Sequence, residues 1–160
     1  LIKMIKNNSK IQQLQLKMKE LELDYFLFVN NDKFFCEYLP ESDKFIEYLT
    51  GFTGSNAYLI VTAQKSFLFT DGRYILQAQQ ELDKDYFEIF NIAHQNIFDF
   101  VAKNLKSQQS LALNGDHSNI VNQQKLQKIA DSNNFKLVIF DNNFNGLLRD
   151  DLPLSIGTPW

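Results

Sequence analysis

The stretch YLTGFTGSNAYLIVTAQKSFLFTDGRY, residues 48–74, compresses a helix end, a glycine-punctuated turn, two strands and a strand-to-helix turn into one run. Gly51 is placed to end the helix before it, because a left-handed residue costs least where there is no Cβ. Gly54-Ser55 then turns the chain into Ala57–Thr62, a β-rich run. Ser66–Thr70 follows after the hairpin-sized gap Thr62-Ala63-Gln64-Lys65. Asp71 stands at the strand end, where its carboxylate can accept the orphan N–H groups of the helix that follows.

Working outward, Ser9-Lys10-Ile11-Gln12 is a capping-box pattern, and Ile11, Leu14, Met18 and Leu21 mark one face of a helix predicted over Ser9–Leu23. Tyr25–Val29 is a buried strand candidate, Asn30–Pro40 a loop, and Ser42 a cap for a short helix carrying Phe45, Ile46 and Leu49. Beyond Tyr74, the spacing of Ile75, Ala78 and Leu82 predicts a helix from about Gly72 to Leu82, and Tyr86–Phe90 a strand. Asn96 opens a helix with Ile97, Val101 and Leu105 facing inward and Asp99 in its first turn. Ser110–Leu113 is a strand, Gly115-Asp116-His117-Ser118 a loop, and Leu126, Ile129 and Ala130 mark another helix. Lys136–Phe140 is a continuous apolar run suited to an inner strand. The segment from Asn142 changes character, with Leu147–Trp160 lacking periodicity. Strands and helices alternate around one hairpin. The expected class is α/β, a three-layer arrangement of a mixed sheet with helices on both faces.

The composition bounds the function. At 160 residues and 44% hydrophobic, the chain is large enough to bury a core, and no apolar run approaches a bilayer span. A net charge of −3 argues against a nucleic-acid surface. Cys36, the single cysteine, precludes an internal disulfide and fits a reducing cytoplasm. Among sixteen basic residues, Arg73 and Arg149 are the two arginines. Arg73 falls in the first turn of a helix, where the macrodipole disfavours a cation, so something local must offset that cost.

Catalytic signals are sparse. His94 and His117 are far apart and sit in no metal-binding pattern; Asp116-His117 is a solvated loop pair before it is a ligand pair. Cys36 has no assignable base. No nucleophile elbow, Walker loop or dinucleotide fingerprint occurs. Asp71-Gly72-Arg73 admits two readings. As a site, it would present an anion or a peptide terminus to a helix N-terminus. As structure, Asp71 caps the helix and Arg73 pairs with a neighbouring carboxylate, Glu47 or Asp43. The working expectation is the second, with Arg73 partly buried and Arg73→Ala costing about 1–3 kcal/mol. Asp150-Asp151 is a solvated pair.

The run EYLPESDKFIEYLTGFTGSNAYLIVT together with LFTDGRYILQAQQELD resembles the N-terminal region of Xaa-Pro aminopeptidases (aminopeptidase P), and more broadly the creatinase/prolidase N-terminal domain. The marks that carry the resemblance are Tyr48-Leu49-x-Gly51-Phe52-x-Gly54-Ser55, the strand to Thr62, Phe69-x-Asp71-Gly72-Arg73-Tyr74, and Gln77-Ala78 with Glu81-Leu82. The form is nearer the longer, three-domain members. Leu148-x-x-Asp151-x-Pro153 is similar to the family's proline-rich exit into a second domain.

The resemblance implies a ribonuclease H-like fold for residues 1–145, with 146–160 as a linker toward a second, catalytic domain. There, two Asp, a His and two Glu would bind two manganese ions or a similar divalent pair and activate water against the bond preceding proline. None of those ligands can be carried onto this chain, so no catalytic or metal residue is assigned, and the sequence looks like part of something longer. Gly51, Phe52, Gly54, Ser55, Asp71, Gly72, Arg73 and Tyr74 are a structural motif that could contribute to a substrate cleft. The implied partners are the protein's own C-terminal domain, a second copy in a homodimer and proline-containing peptides, in the cytoplasm, with neither nucleic acid nor membrane. Two other classes stay open. One is an inactive peptidase-like module that binds proteins. The other is a ribonuclease H-like nuclease, which would need Asp71, Asp116 and Asp141 clustered on a metal.

Overall fold

A computed structural model describes residues 2–30, 45–54, 57–114 and 120–140. The elements in chain order are α1 (Ile2–Glu20), β1 (Tyr25–Asn30), α2 (Phe45–Thr50), β2 (Ala57–Thr62), β3 (Ser66–Thr70), α3 (Ile75–Glu81), β4 (Phe87–Asn91), α4 (Ile97–Asn104), β5 (Ser110–Asn114), α5 (Ile120–Asn133) and β6 (Lys136–Phe140). A 3₁₀ turn over Gly72–Tyr74 leads into α3. The Ser42 cap, Asp43, Cys36, Ser55, Asp116, His117, Asp141, Arg149, Asp150, Asp151 and the 146–160 segment lie outside the described residues.

The strands form one mixed sheet in the order β4-β3-β2-β1-β5-β6. β2 pairs antiparallel with β1 and β3, whereas β3–β4, β1–β5 and β5–β6 are parallel. Among the described residues, five strands therefore share a direction and β2 opposes them. The hairpin sits where the sequence places it, with Thr62 closing its turn. The Thr62 hydroxyl donates to the Lys65 carbonyl at 2.7 Å and accepts the Lys65 N–H at 3.1 Å.

Side chains alternate across the pleat, so each apolar strand feeds two cores. On one face Phe26, Phe28, Leu59, Val61, Leu68 and Phe87 pack against Ile11, Leu14 and Met18 of α1, Ile46 and Leu49 of α2, and Ala78 of α3. On the other, Leu27, Val29, Ile60, Phe69, Leu111 and Leu113 pack against Ile97, Phe100 and Val101 of α4 and Leu126 and Ala130 of α5. This is the three-layer α/β arrangement expected. It explains the near-continuous apolar strands, since helices cover both faces.

The structure corrects several expectations. α1 starts at Ile2, so Ser9 lies within the helix and opens nothing. LIKMIKNN contains no Gly or Pro to stop the helix, and extending a nucleated helix is cheaper than starting one at a cap. α1 also ends early, at Glu20, which leaves Leu21 44% exposed rather than on the inner face. Its end is a Schellman turn: Glu22 is left-handed at φ 58, and the N–H groups of Leu23 and Glu22 donate to the carbonyls of Met18 and Lys19. α5 ends with the same 6→1 bond, Asn134 at φ 59 and the Phe135 N–H on the Ala130 carbonyl. Buried Leu23 and Phe135 then lead into β1 and β6. Tyr86 belongs to the turn before β4 and is exposed. The largest correction concerns Lys136–Phe140, which among the described residues is the last strand of the sheet and not an inner one. Leu137 and Val138 each pack into one core, so the run is apolar because both layers reach it, while Ile139 stays 46% exposed.

Candidate functional site

The Gly51–Gly54 turn is built by satisfying each early N–H with a different acceptor. Gly51, at φ 81, ends α2 as predicted, and its N–H donates to the Glu47 carbonyl at 2.8 Å. The buried Thr50 hydroxyl donates to the Ile46 carbonyl at 2.6 Å and accepts the Phe52 N–H at 3.0 Å. That bond fixes the Phe52 main chain, and the Phe52 ring is fully buried and meets Tyr74 edge-on at 6.3 Å. Gly54 is dictated by the same ring, because a Cβ there would stand 2.3 Å from Phe52 Cζ.

The second part of the motif lies at the end of β3. Asp71 caps the 3₁₀ turn as expected, accepting the Arg73 N–H at 2.9 Å on Oδ1. The same carboxylate takes the Arg73 guanidinium, Nε at 3.1 Å and Nη2 at 3.0 Å. This is the local offset for a cation in a first helical turn. Among the described residues the carboxylate is Asp71 itself, not Glu47, and the Arg73 side chain is 75% exposed, not partly buried. The guanidinium also lies 5.2 Å from the Tyr74 ring centroid. Gly72 is exposed, and a Cβ there would make ordinary contact with Asn91 Nδ2 at 3.4 Å, so the local packing does not demand glycine.

The sequence reading missed the link between the turn and α3. Glu81 Oε1 accepts the Thr53 N–H at 3.1 Å, and its Oε2 takes the Thr53 hydroxyl at 3.0 Å. Gln77 Nε2 donates to Thr53 Oγ1 at 2.6 Å and to Glu81 Oε1 at 3.1 Å. The signals available were the i,i+4 spacing of Gln77 and Glu81, which places them on one helix face, and their presence among the marks of the family resemblance. Of the motif residues, the structure thus brings Phe52 onto Gly54 and Tyr74, and Asp71 onto Arg73.

These groups can bind and orient, but they are poorly suited to hold a metal. Among the described residues no three His, Cys, Asp or Glu come together as a ligand cluster, and both Asp71 oxygens already engage a guanidinium. His94 is exposed in the turn after β4. No helix among the described residues is long and apolar enough to cross a membrane.

Residues 10–146 match the family model of the creatinase/prolidase N-terminal domain. The chain belongs to that family. Within it, the chain is 30% identical over 108 residues to Xaa-Pro aminopeptidase 1 of Dictyostelium discoideum, covering 66% of this chain and 17% of that protein. It spans 10–17% of the length of the curated relatives it matches. In structure it resembles an X-prolyl aminopeptidase from Caenorhabditis elegans, described as a cytosolic enzyme with a di-nuclear active site. That match has a TM-score of 0.78 at 24% identity and covers 93% of this chain and 26% of that one. It also resembles the separately solved N-terminal domain of a cytoplasmic peptidase from Mycobacterium tuberculosis, with a TM-score of 0.63 at 21% identity, covering 87% of this chain and 98% of that one. These likenesses establish the creatinase/prolidase N-terminal fold.

Proposed function

We propose that the chain is the non-catalytic N-terminal domain of a metal-dependent Xaa-Pro aminopeptidase, whose whole form releases the first residue of peptides with proline second. The observation that carries this reading is the family match across residues 10–146, joined to relatives named Xaa-Pro aminopeptidase. On this reading residues 1–145 are the folded unit and 146–160 connect it to a catalytic domain. The divalent pair, manganese by the resemblance noted above, would be held by that second domain, because the described residues here offer no ligand cluster. A homodimer in the cytoplasm completes the proposal; the C. elegans relative is described as cytosolic.

The Gly51–Gly54 turn and the Asp71–Tyr74 cap are proposed to face the rim of the substrate cleft, where an exposed Arg73 and an anchored turn can limit access to short peptides. The test is hydrolysis of an Xaa-Pro peptide with added manganese, by this chain and by the whole protein. Activity in the whole protein alone is expected. Turnover by the 160-residue chain would overturn the division of labour.

A further inference from the structure

We propose that Glu81 is a positioning residue, with Gln77 as its assistant, and that Thr53 is the point at which α3 sets the place of the Gly51–Gly54 turn. The inference rests on the cleft-facing role proposed for that turn.

Two glycines in four residues make the turn costly to order, since glycine loses the most backbone freedom on folding. Its first three N–H groups are each claimed, but by acceptors of different kinds. Gly51 and Phe52 use groups of α2 itself, the Glu47 carbonyl and the Thr50 hydroxyl. Those bonds orient the turn relative to its own helix and nothing else. Thr53 differs. Both of its donors, N–H and hydroxyl, go to Glu81, a residue 28 positions away on another element. Gln77 then fills an acceptor site on the Thr53 hydroxyl and braces Glu81 Oε1.

An ionised carboxylate that accepts both donors of one residue is a stronger and more directional hold than a neutral pair. Thr53 is exposed and Glu81 and Gln77 are half-buried, so the arrangement adds little to global stability while it determines where the turn sits. That combination distinguishes a positioning contact from a core contact. Through it the turn and the α3 helix, which begins just after Arg73, move as one body.

The test compares Glu81→Ala, Glu81→Gln and Gln77→Ala. In this chain, amide exchange is read at Thr53, with Leu59 in β2 as the internal reference for global opening. Glu81→Ala is expected to speed Thr53 exchange by about tenfold, the equivalent of one net hydrogen bond, and to leave Leu59 unchanged. Glu81→Gln, which keeps one acceptor for the Thr53 N–H, restores much of the protection. In the whole enzyme the same Glu81→Ala change is expected to raise KM for an Xaa-Pro peptide with kcat held. Unchanged exchange at Thr53, or acceleration shared equally by Leu59, overturns the latch. Faster Thr53 exchange with an unchanged KM overturns the positioning role and the cleft placement beneath it, and leaves peptidase membership untouched.

Discussion

The Asp24 carboxylate accepts the backbone N–H of Ser110 at 2.8 Å, joining the entrances of two parallel strands that lie 86 residues apart. The Ser110 hydroxyl donates to the Glu22 carbonyl at 2.9 Å and lies 3.3 Å from the same Asp24 carboxylate. β1 and β5 have no short loop to set their register, so this cluster supplies what a tight turn supplies in a hairpin. Asp24→Ala should lower stability by about 1–3 kcal/mol, because it orphans a part-buried N–H. Urea denaturation checks it: the midpoint falls with the slope unchanged, and an unmoved midpoint would refute the assignment.

Ser66 gives the opposite expectation from a similar side chain. It is 1% exposed at the start of β3, and among the described residues its hydroxyl has no hydrogen-bond partner. A buried hydroxyl without a partner costs free energy, so Ser66→Ala should be neutral or stabilising by up to about 1 kcal/mol. Ser110→Ala, measured alongside, should destabilise. A loss in both would mean that the Ser66 hydroxyl is satisfied in solution.

At the cap, Asp71 matters more than Arg73. Asp71→Ala removes the side-chain acceptor for a helix-start N–H and should cost about 1 kcal/mol. Arg73→Ala removes an exposed ion pair and should change stability by less than about 1 kcal/mol. Thermal melts of the two variants give the ranking directly, and an Arg73 variant that melts well below the Asp71 variant would contradict it.

Gly54 and Phe52 should be strongly coupled. Gly54→Ala drives a methyl into the Phe52 ring and is expected to cost about 1–3 kcal/mol by overpacking. Phe52→Ala should cost about 3–5 kcal/mol on its own. In that background the added methyl has room, so a double-mutant cycle should show the Gly54 penalty largely abolished. Simple additivity would place the clash elsewhere.

Burial raises the Tyr58 hydroxyl above its ordinary 10.0. The unfolded chain ionises at the ordinary value, so above it the unfolded state holds fewer protons. Stability therefore falls with rising pH until the folded hydroxyl ionises as well. Tyr25 is raised too, by burial first and then by the Asp24 charge. Tyr58→Phe should flatten the alkaline fall in stability, and the double variant with Tyr25→Phe should flatten it further. Identical slopes in urea titrations at alkaline pH would contradict the assignment.

What could be read from residues alone follows from range. The hairpin, the left-handed Gly51, the Asp71 and Asn96 caps and the inward faces of α3, α4 and α5 depend on neighbours within a helical turn or a strand pair, and those were legible. The Asn96 cap, for example, accepts the Phe98 N–H at 2.7 Å. The ends of α1 and α5 were not, because Glu22 and Asn134 occupy left-handed positions that usually announce themselves as glycine. The edge position of β6 was hidden because an apolar run signals cover on both faces and says nothing of what lies beside it. The Thr53–Glu81 link was hidden by sequence separation, since neither residue carries a local mark of the other.

The sheet is also a wall between two apolar compartments, one fed by Phe28, Leu59 and Leu68, the other by Leu27, Ile60 and Phe69. Each compartment can exchange its side chains for others of like volume without consulting the far side. Drift in one therefore needs no compensation in the other. A shape built this way can outlast most of the letters that spell it.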